Sequence, residues 1–122
     1  MKLTLPFPPS INGYWRAYSG RQIISAKGRE YRADVIKQMF YEHMPRYECE
    51  IEVHITLYPP DRRKRDIDNY IKAVFDAMTH AKVWVDDSQV SKMTVERGAV
   101  CKPGYVSLTV QPFANRLDNT TI

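Results

Sequence analysis

Hydrophobic and polar positions alternate most cleanly between Glu50 and Tyr58. Ile51, Val53, Ile55 and Leu57 fall on one side and Glu50, Glu52, His54 and Thr56 on the other, the period of two expected of a half-buried strand. Leu3 to Phe7 reads as a shorter first strand, stopped by Pro8-Pro9. Val90 to Arg97 predicts a third strand. Tyr105 to Gln111 predicts a fourth, with Val106, Leu108 and Val110 inward, reached through a turn at Lys102-Pro103-Gly104. Helical spacing replaces the period of two in two places. From about Ala26 to Met44, behind Ser25 as N-cap and before Pro45 as a stop, Tyr31, Val35, Ile36, Met39 and Phe40 form an inner face. Lys27, Arg29, Arg32 and Lys37 then decorate a solvated outer face. The second run starts near Asp66, with Ile67, Ile71, Val74, Phe75 and Met78 as its buried stripe. Asp76 lies further round that helix and reads as a surface residue.

Between the first strand and the first helix, PPSINGYWRAYSGRQII shows no period and many turn formers, so it reads as a loop. The order β, α, β, α, β, β predicts a single α+β domain, two main helices packed on a mixed β-sheet. The apolar pattern ends at Pro112. Residues 1–111 are therefore expected to form the domain and 112–122 a flexible C-terminal tail.

A chain of 122 residues suffices for one core and not for two. The formal net charge of +4 favours a polyanionic partner, and the local distribution sharpens that reading. Cys49 and Cys101 match neither a metal-ligand spacing nor a disulfide framework, and read as reduced core thiols. No signal peptide and no long apolar run is present, so a soluble, cytoplasmic protein without a membrane partner is expected.

The chemistry concentrates in DRRKRDIDNYIKAVFDAMTHAKVWVDDSQV, residues 61–90. Arg62, Arg63, Lys64 and Arg65 precede Asp66 and Asp68 at a helix start, where free N–H groups favour anions. At about 100° per residue, Asp68 and Lys72 share one margin of the helix. Asp86 and Asp87 follow Trp84 and are able to complete a set of carboxylates. Taken singly, these are caps, a turn and a surface pair worth about 0.2–0.5 kcal/mol. Taken together they suit a hard divalent cation beside a phosphate, with the basic run holding DNA that the acids alone would repel. Aromatics interleaved with arginines at Tyr14, Trp15, Arg16, Tyr18 and Arg21 suit bases and phosphates, or pin a loop to the core. His43, His54 and His80 lack a zinc spacing, and no P-loop or nucleophile elbow occurs.

RDIDNYIKAVFDAM followed by VWVDDSQV, together with LPFPPSINGYWR near the N-terminus, strongly resembles the RusA family of Holliday junction resolvases, often carried by phages and prophages. The resemblance covers most of the chain. It implies a small α+β homodimer of bacterial or phage origin that cuts four-way DNA junctions by paired symmetric nicks, with Mg²⁺ or Mn²⁺ and no small-molecule cofactor, in DNA recombination and repair. It also implies that Asp66, Asp68 and Asp87 hold the metal and that Lys72 is catalytic. Asp86 then supports the turn or backs a metal ligand. From the basic run and the arginines interleaved with aromatics, Arg16, Arg62, Arg63, Lys64 and Arg65 are the expected DNA-binding side chains. Thr79-His80 stands where many relatives have Asn-Gly, a departure that reads as touching a helix cap and not the site. Rival readings are a nuclease acting on flaps or other branched DNA, a non-catalytic junction-binding protein, and a basic module that binds RNA.

Overall fold

The computed structural model describes residues 1–43 and 45–114. Its elements run β1 (Lys2–Pro6), α1 (Ile11–Tyr14), β2 (Trp15–Tyr18), β3 (Arg21–Ile24), α2 (Ala26–Glu42), β4 (Ile51–Tyr58), α3 (Ile71–His80), β5 (Val90–Arg97) and β6 (Tyr105–Pro112). Short 3-10 turns at Ile67–Tyr70 and Asp87–Gln89 bracket α3. The main sheet has the order β1-β6-β4-β5. β6 is antiparallel to both β1 and β4, and β5 is parallel to β4. This is the expected α+β domain with a mixed sheet, and all four expected strands are present.

The core lies between one face of the sheet and the two long helices. Leu3 and Leu5, then Ile51, Val53, Ile55 and Leu57, then Val106, Leu108 and Val110 supply the sheet side. Tyr31, Val35 and Met39 of α2 and Ile71, Ala73, Val74, Ala77 and Met78 of α3 supply the other. The reverse face is polar, carrying pairs such as His54 Nε2 with Glu96 Oε1 at 3.0 Å. No helix among the described residues is long and apolar enough to cross a membrane.

Ser25 caps α2 as expected, its hydroxyl accepting from the Gly28 N–H at 3.0 Å. The buried face of α2 is narrower than the sequence suggests. Gly28, Tyr31, Val35 and Met39 form a single line; Ile36 and Phe40 lie about 100° further round the helix and face outward, Phe40 being 73% exposed. The helix stops at Glu42 with His43 in the left-handed conformation, ahead of Pro45. Cys49 and Cys101 are free and both exposed, not core thiols. β6 extends to Pro112, and the Phe113 N–H donates to Glu50 O at 2.9 Å. The remainder of the expected tail lies outside the described residues.

The largest difference is in PPSINGYWRAYSGRQII. This segment folds as α1, capped by Ser10, and a two-stranded hairpin, β2 with β3. Tyr14 at the end of α1 is fully buried, and its hydroxyl donates to Asp76 on α3. Arg32 of α2 donates to the same carboxylate oxygen from Nε at 3.1 Å and Nη2 at 2.9 Å. Burial first, then the Asp76 carboxylate, pushes the Tyr14 phenol well above its ordinary range. Asp76 and Arg32 are therefore not solvated: they are 17% and 23% exposed and join α1, α2 and α3. Gly28 is required at this junction, because a Cβ there would run into the Tyr14 carbonyl and the Ile24 side chain.

The clamp makes a quantitative prediction. Asp76→Ala strands a half-buried guanidinium and a buried phenol, and should cost about 2 kcal/mol by the range for hydrogen bonds to charged groups. Glu96→Gln, at an exposed pair, should cost less than about 0.5 kcal/mol. Urea unfolding with an unchanged slope measures both. Equal, small effects would mean that Asp76 anchors nothing.

Candidate active site

β4 ends at Tyr58, and Pro59-Pro60 directs the chain into the basic loop. Arg62, Arg63 and Lys64 are exposed there. Arg65 is turned inward, its side chain only 15% exposed. Its Nη1 donates to Asp61 Oδ1 at 2.7 Å and to the Asp61 carbonyl at 3.3 Å, and its guanidinium lies 5.7 Å from the centre of the Phe7 ring. Arg97, the last residue of β5, donates to the Arg65 carbonyl at 2.5 Å. Thus Arg65 braces the loop, while exposed Arg62 and Lys64, and Arg63, paired only loosely with Asp61 Oδ2 at 3.8 Å, are turned toward solvent where a phosphate can reach them.

Asp66 follows in extended backbone, φ −87° and ψ 122°, and its carbonyl accepts from the Asn69 N–H at 3.0 Å. Its carboxylate makes no capping bond. Asp68 sits in the first turn, and both acids are exposed. An extended residue entering a helix is the backbone that aims two carboxylates, two residues apart, into one space. Lys72 lies in the first turn of α3 and is exposed. The surface ion pair that Asp68 and Lys72 would form if they had no other role is absent among the described residues. The 3-10 turn explains this, since at about three residues per turn it rotates Asp68 away from its α-helical position.

The second acidic pair is built differently. Asp86 caps the 3-10 turn after it, accepting from the Ser88 N–H at 2.8 Å, while Gln89 Oε1 accepts from the Asp86 N–H at 2.9 Å. The Ser88 N–H also holds the Asp86 carboxyl below its ordinary range. Asp87 is half-buried. Its Oδ1 accepts from the indole N–H of fully buried Trp84 at 3.0 Å and from the Thr79 hydroxyl. Trp84 Nε1 also donates to Thr79 Oγ1 at 2.8 Å. Thr79 therefore touches a proposed site residue directly, correcting the reading of Thr79-His80 as a cap alone. Nothing in the sequence announces where a tryptophan N–H points.

Asp87 and the Asp66–Asp68 pair stand at opposite ends of the β4–α3–β5 unit. Arg97 at the end of β5 bonds the residue before Asp66, whereas Asp87 lies three residues before the start of β5. The eight residues of β5 separate them by roughly 23 Å at the usual strand rise. Accordingly, no group of three His, Cys, Asp or Glu able to hold a metal occurs among the described residues. Beside Lys72, α1 and the hairpin contribute Asn12, Trp15, Arg16 and Gln22 to a groove; Asn12 lies in the LPFPPSINGYWR segment that carries the resemblance but has no assigned role there, and Gln22 carries no signal in the sequence.

Residues 6–110 match the family model described as Endodeoxyribonuclease RusA. The chain is 41% identical over 119 residues to "Crossover junction endodeoxyribonuclease RusA" of Escherichia coli (strain K12), covering 93% of this chain and 95% of that protein. It is 42% identical, with the same coverage of both chains, to the proteins of that name from Shigella sonnei (strain Ss046) and Enterobacteria phage 82.

The loop brace is open to titration. The Arg65 side chain, and then the Arg63 backbone N–H, hold the Asp61 carboxyl at about 2, below its ordinary value of 3.8. Because the folded value is depressed, the brace is fully present above the ordinary value and is lost as pH falls through about 2. Carboxyl-carbon NMR should find that inflection in the wild type and return it toward the ordinary value in Arg65→Gln. An ordinary titration in the wild type would show that the brace is not formed in solution.

Proposed function

The chain belongs to the endodeoxyribonuclease RusA family and is an endonuclease, and from that premise we propose that it resolves four-way (Holliday) DNA junctions. In this reading it acts as a Mg²⁺-dependent homodimer, with Mn²⁺ able to substitute, and makes paired symmetric nicks. Its setting is the recombination and repair of bacterial or phage DNA in the cytoplasm. The observation that carries the reading is the division of the acids, with exposed Asp66 and Asp68 at one end of the β4–α3–β5 unit and an oriented Asp87 at the other.

The donor set fits a hard divalent cation in kind, since all three groups are carboxylates. One chain does not bring the three within reach of a single ion, but two chains do if β5 is shared. Among the described residues β5 is an edge strand, hydrogen-bonded only to β4, and an edge is a template for pairing. A two-fold axis through its centre pairs it antiparallel with a second copy. The Asp87 end of one strand then lies beside the Asp66 end of the other. Met93, near the middle of β5 and 50% exposed, is covered by the same pairing. Each site takes Asp66 and Asp68 from one copy and Asp87 from its partner, and the pair of sites matches the two-fold symmetry of a junction.

Asp66 and Asp68 of one copy and Asp87 of its partner would hold the cation, which when bound would activate water and offset charge on the phosphate. Asp66 from the extended residue before the 3-10 turn and Asp68 from within that turn offer their carboxylates, while Trp84 and Thr79 orient Asp87. Lys72 extends from the first turn of α3 and places an ammonium where charge develops on the phosphate oxygens. Arg62, Arg63 and Lys64, outside the site, hold the phosphates on either side of the cut. Arg65 keeps that loop in shape.

Mixed dimers test the arrangement. Asp68→Asn and Asp87→Asn should each abolish cleavage of a synthetic four-way junction in Mg²⁺. A heterodimer of the two variants has one doubly altered site and one intact site, so it should recover single nicks. No recovery in a verified heterodimer would place all three acids in one chain and overturn the shared site. Comparing four-way junctions with flaps and linear duplex checks the substrate itself.

The clamp role of the basic loop is read from salt dependence. Arg62→Ala with Arg63→Ala should flatten the slope of log K against log salt by about 0.9 for each duplex phosphate that the loop no longer neutralises. Cleavage at saturating protein should be largely restored. An unchanged slope would make these arginines a solvated charge run.

A further inference from the structure

The groove between the hairpin and α3 has features that a phosphate clamp does not require. Its volume is about 790 Å³, within the range of about 300–1,000 Å³ typical of pockets that enclose a small organic ligand. Trp15, Ile11 and Ala17 give it apolar walls, and Asn12 and Gln22 add two amides. Lys72, the proposed catalytic lysine, stands at its edge. Among the described residues no carboxylate lines it, and the 29 residues before Glu30 contain five Lys or Arg and no Asp or Glu.

The walls are held in advance of any ligand. Trp15 packs edge-to-face on Tyr14 at 5.3 Å between ring centres, and Tyr14 is fixed by Asp76. Ala17 lies opposite Gln22 in the hairpin register, so the Gln22 amide rises on the same face as Ala17 and Trp15. Arg16 lies over the ring of Tyr18 at 5.8 Å and brings a cation to the rim. A flat apolar wall beside exposed amides, next to a cation meant for a phosphate, has the chemistry of a nucleotide: a base with two apolar faces and a polar edge, attached to an anion.

Resting on the reading of the chain as a junction-cutting nuclease, we infer that this groove receives an unstacked base of the strand being cut, adjacent to the scissile phosphate, and that Asn12 and Gln22 read its edge. The base stacks on the wall built around Trp15, which tolerates any base because every base has a π-face. Discrimination comes from the amides, each presenting one donor and one acceptor at fixed separation. Lys72 receives the phosphate of the same nucleotide, so reading the base and positioning the bond to be cut are one event. A branch point is the natural source of such a base, since unstacking is least costly where pairing is already interrupted.

The test uses the full chain in Mg²⁺ and a set of four-way junctions carrying every dinucleotide at the branch, with nick positions mapped on each strand. The wild type should prefer some sequences by at least about tenfold, the scale of one good amide–base pairing. Asn12→Ala and Gln22→Ala should shrink that preference to about threefold or less. Lys72→Ala, in contrast, should lower all rates alike. A second arm removes the preferred base, leaving an abasic nucleotide: the wild type and the amide variants should then cut at one common, lower rate, because neither the Trp15 wall nor the amides has a base to act on. Losses that are equal on every sequence and persist on the abasic junction would overturn the base-reading role while leaving the nuclease intact. If the wild type cuts no junction of any sequence, the functional reading falls and takes this assignment with it.

Discussion

The parallel pairing of β4 with β5 is the constraint on which the rest of this structure depends. Parallel neighbours cannot be joined by a tight turn, so the chain must travel back along the sheet before β5 can begin. α3 is that return path. The crossover necessarily has two ends, and the chain puts different chemistry at each. The basic loop, Asp66 and Asp68 occupy the end where β4 finishes; Thr79, Trp84 and Asp87 occupy the end where β5 starts. The same helix is the surface to which the N-terminal third of the protein is tied, because Asp76 on its flank receives both Arg32 and Tyr14. The groove beside Lys72 thus exists only because a strand pairing elsewhere set α3 in place.

Much of this is legible in the sequence, for physical reasons that can be named. β4 and β6 show a clean period of two because each has one face in the core and one in water. Ser25 announces α2 because a hydroxyl at an N-cap satisfies a donor the helix cannot. Asp66 and Asp68 stand out because two acids one residue apart follow four consecutive basic residues at a helix start, a combination that capping alone does not require. The parts that stay hidden are equally specific. The hairpin is concealed because β2 and β3 are four residues each and mostly exposed, too short for a period to appear. Ile36 and Phe40 read as inward because a helical pattern tolerates an error of one position, about 100°. Asp76 reads as a surface residue and Thr79 as part of a cap because their partners, Tyr14, Arg32, Trp84 and Asp87, become neighbours only on folding. Hydropathy carries burial well and partnership poorly.

The separation of the acids has a further consequence for the way such a fold can be stable. Three carboxylates gathered in one place repel one another, and without a cation each depends on desolvating surroundings or donors to hold it. In this chain that cost does not fall on the monomer. Asp66 and Asp68 remain exposed to water, and Asp87 alone is half-buried, where an indole N–H and a hydroxyl partner one of its oxygens. The fold can therefore form without metal. On the proposed arrangement, the acids meet only when β5 of one copy lies along β5 of another, so their repulsion is met at assembly, when a cation is there to offset it. Hydrolytic competence then arises in both sites at once and in neither before. For a substrate that must be nicked twice across a two-fold axis, a chain unable to build a complete site alone is safer than one that can.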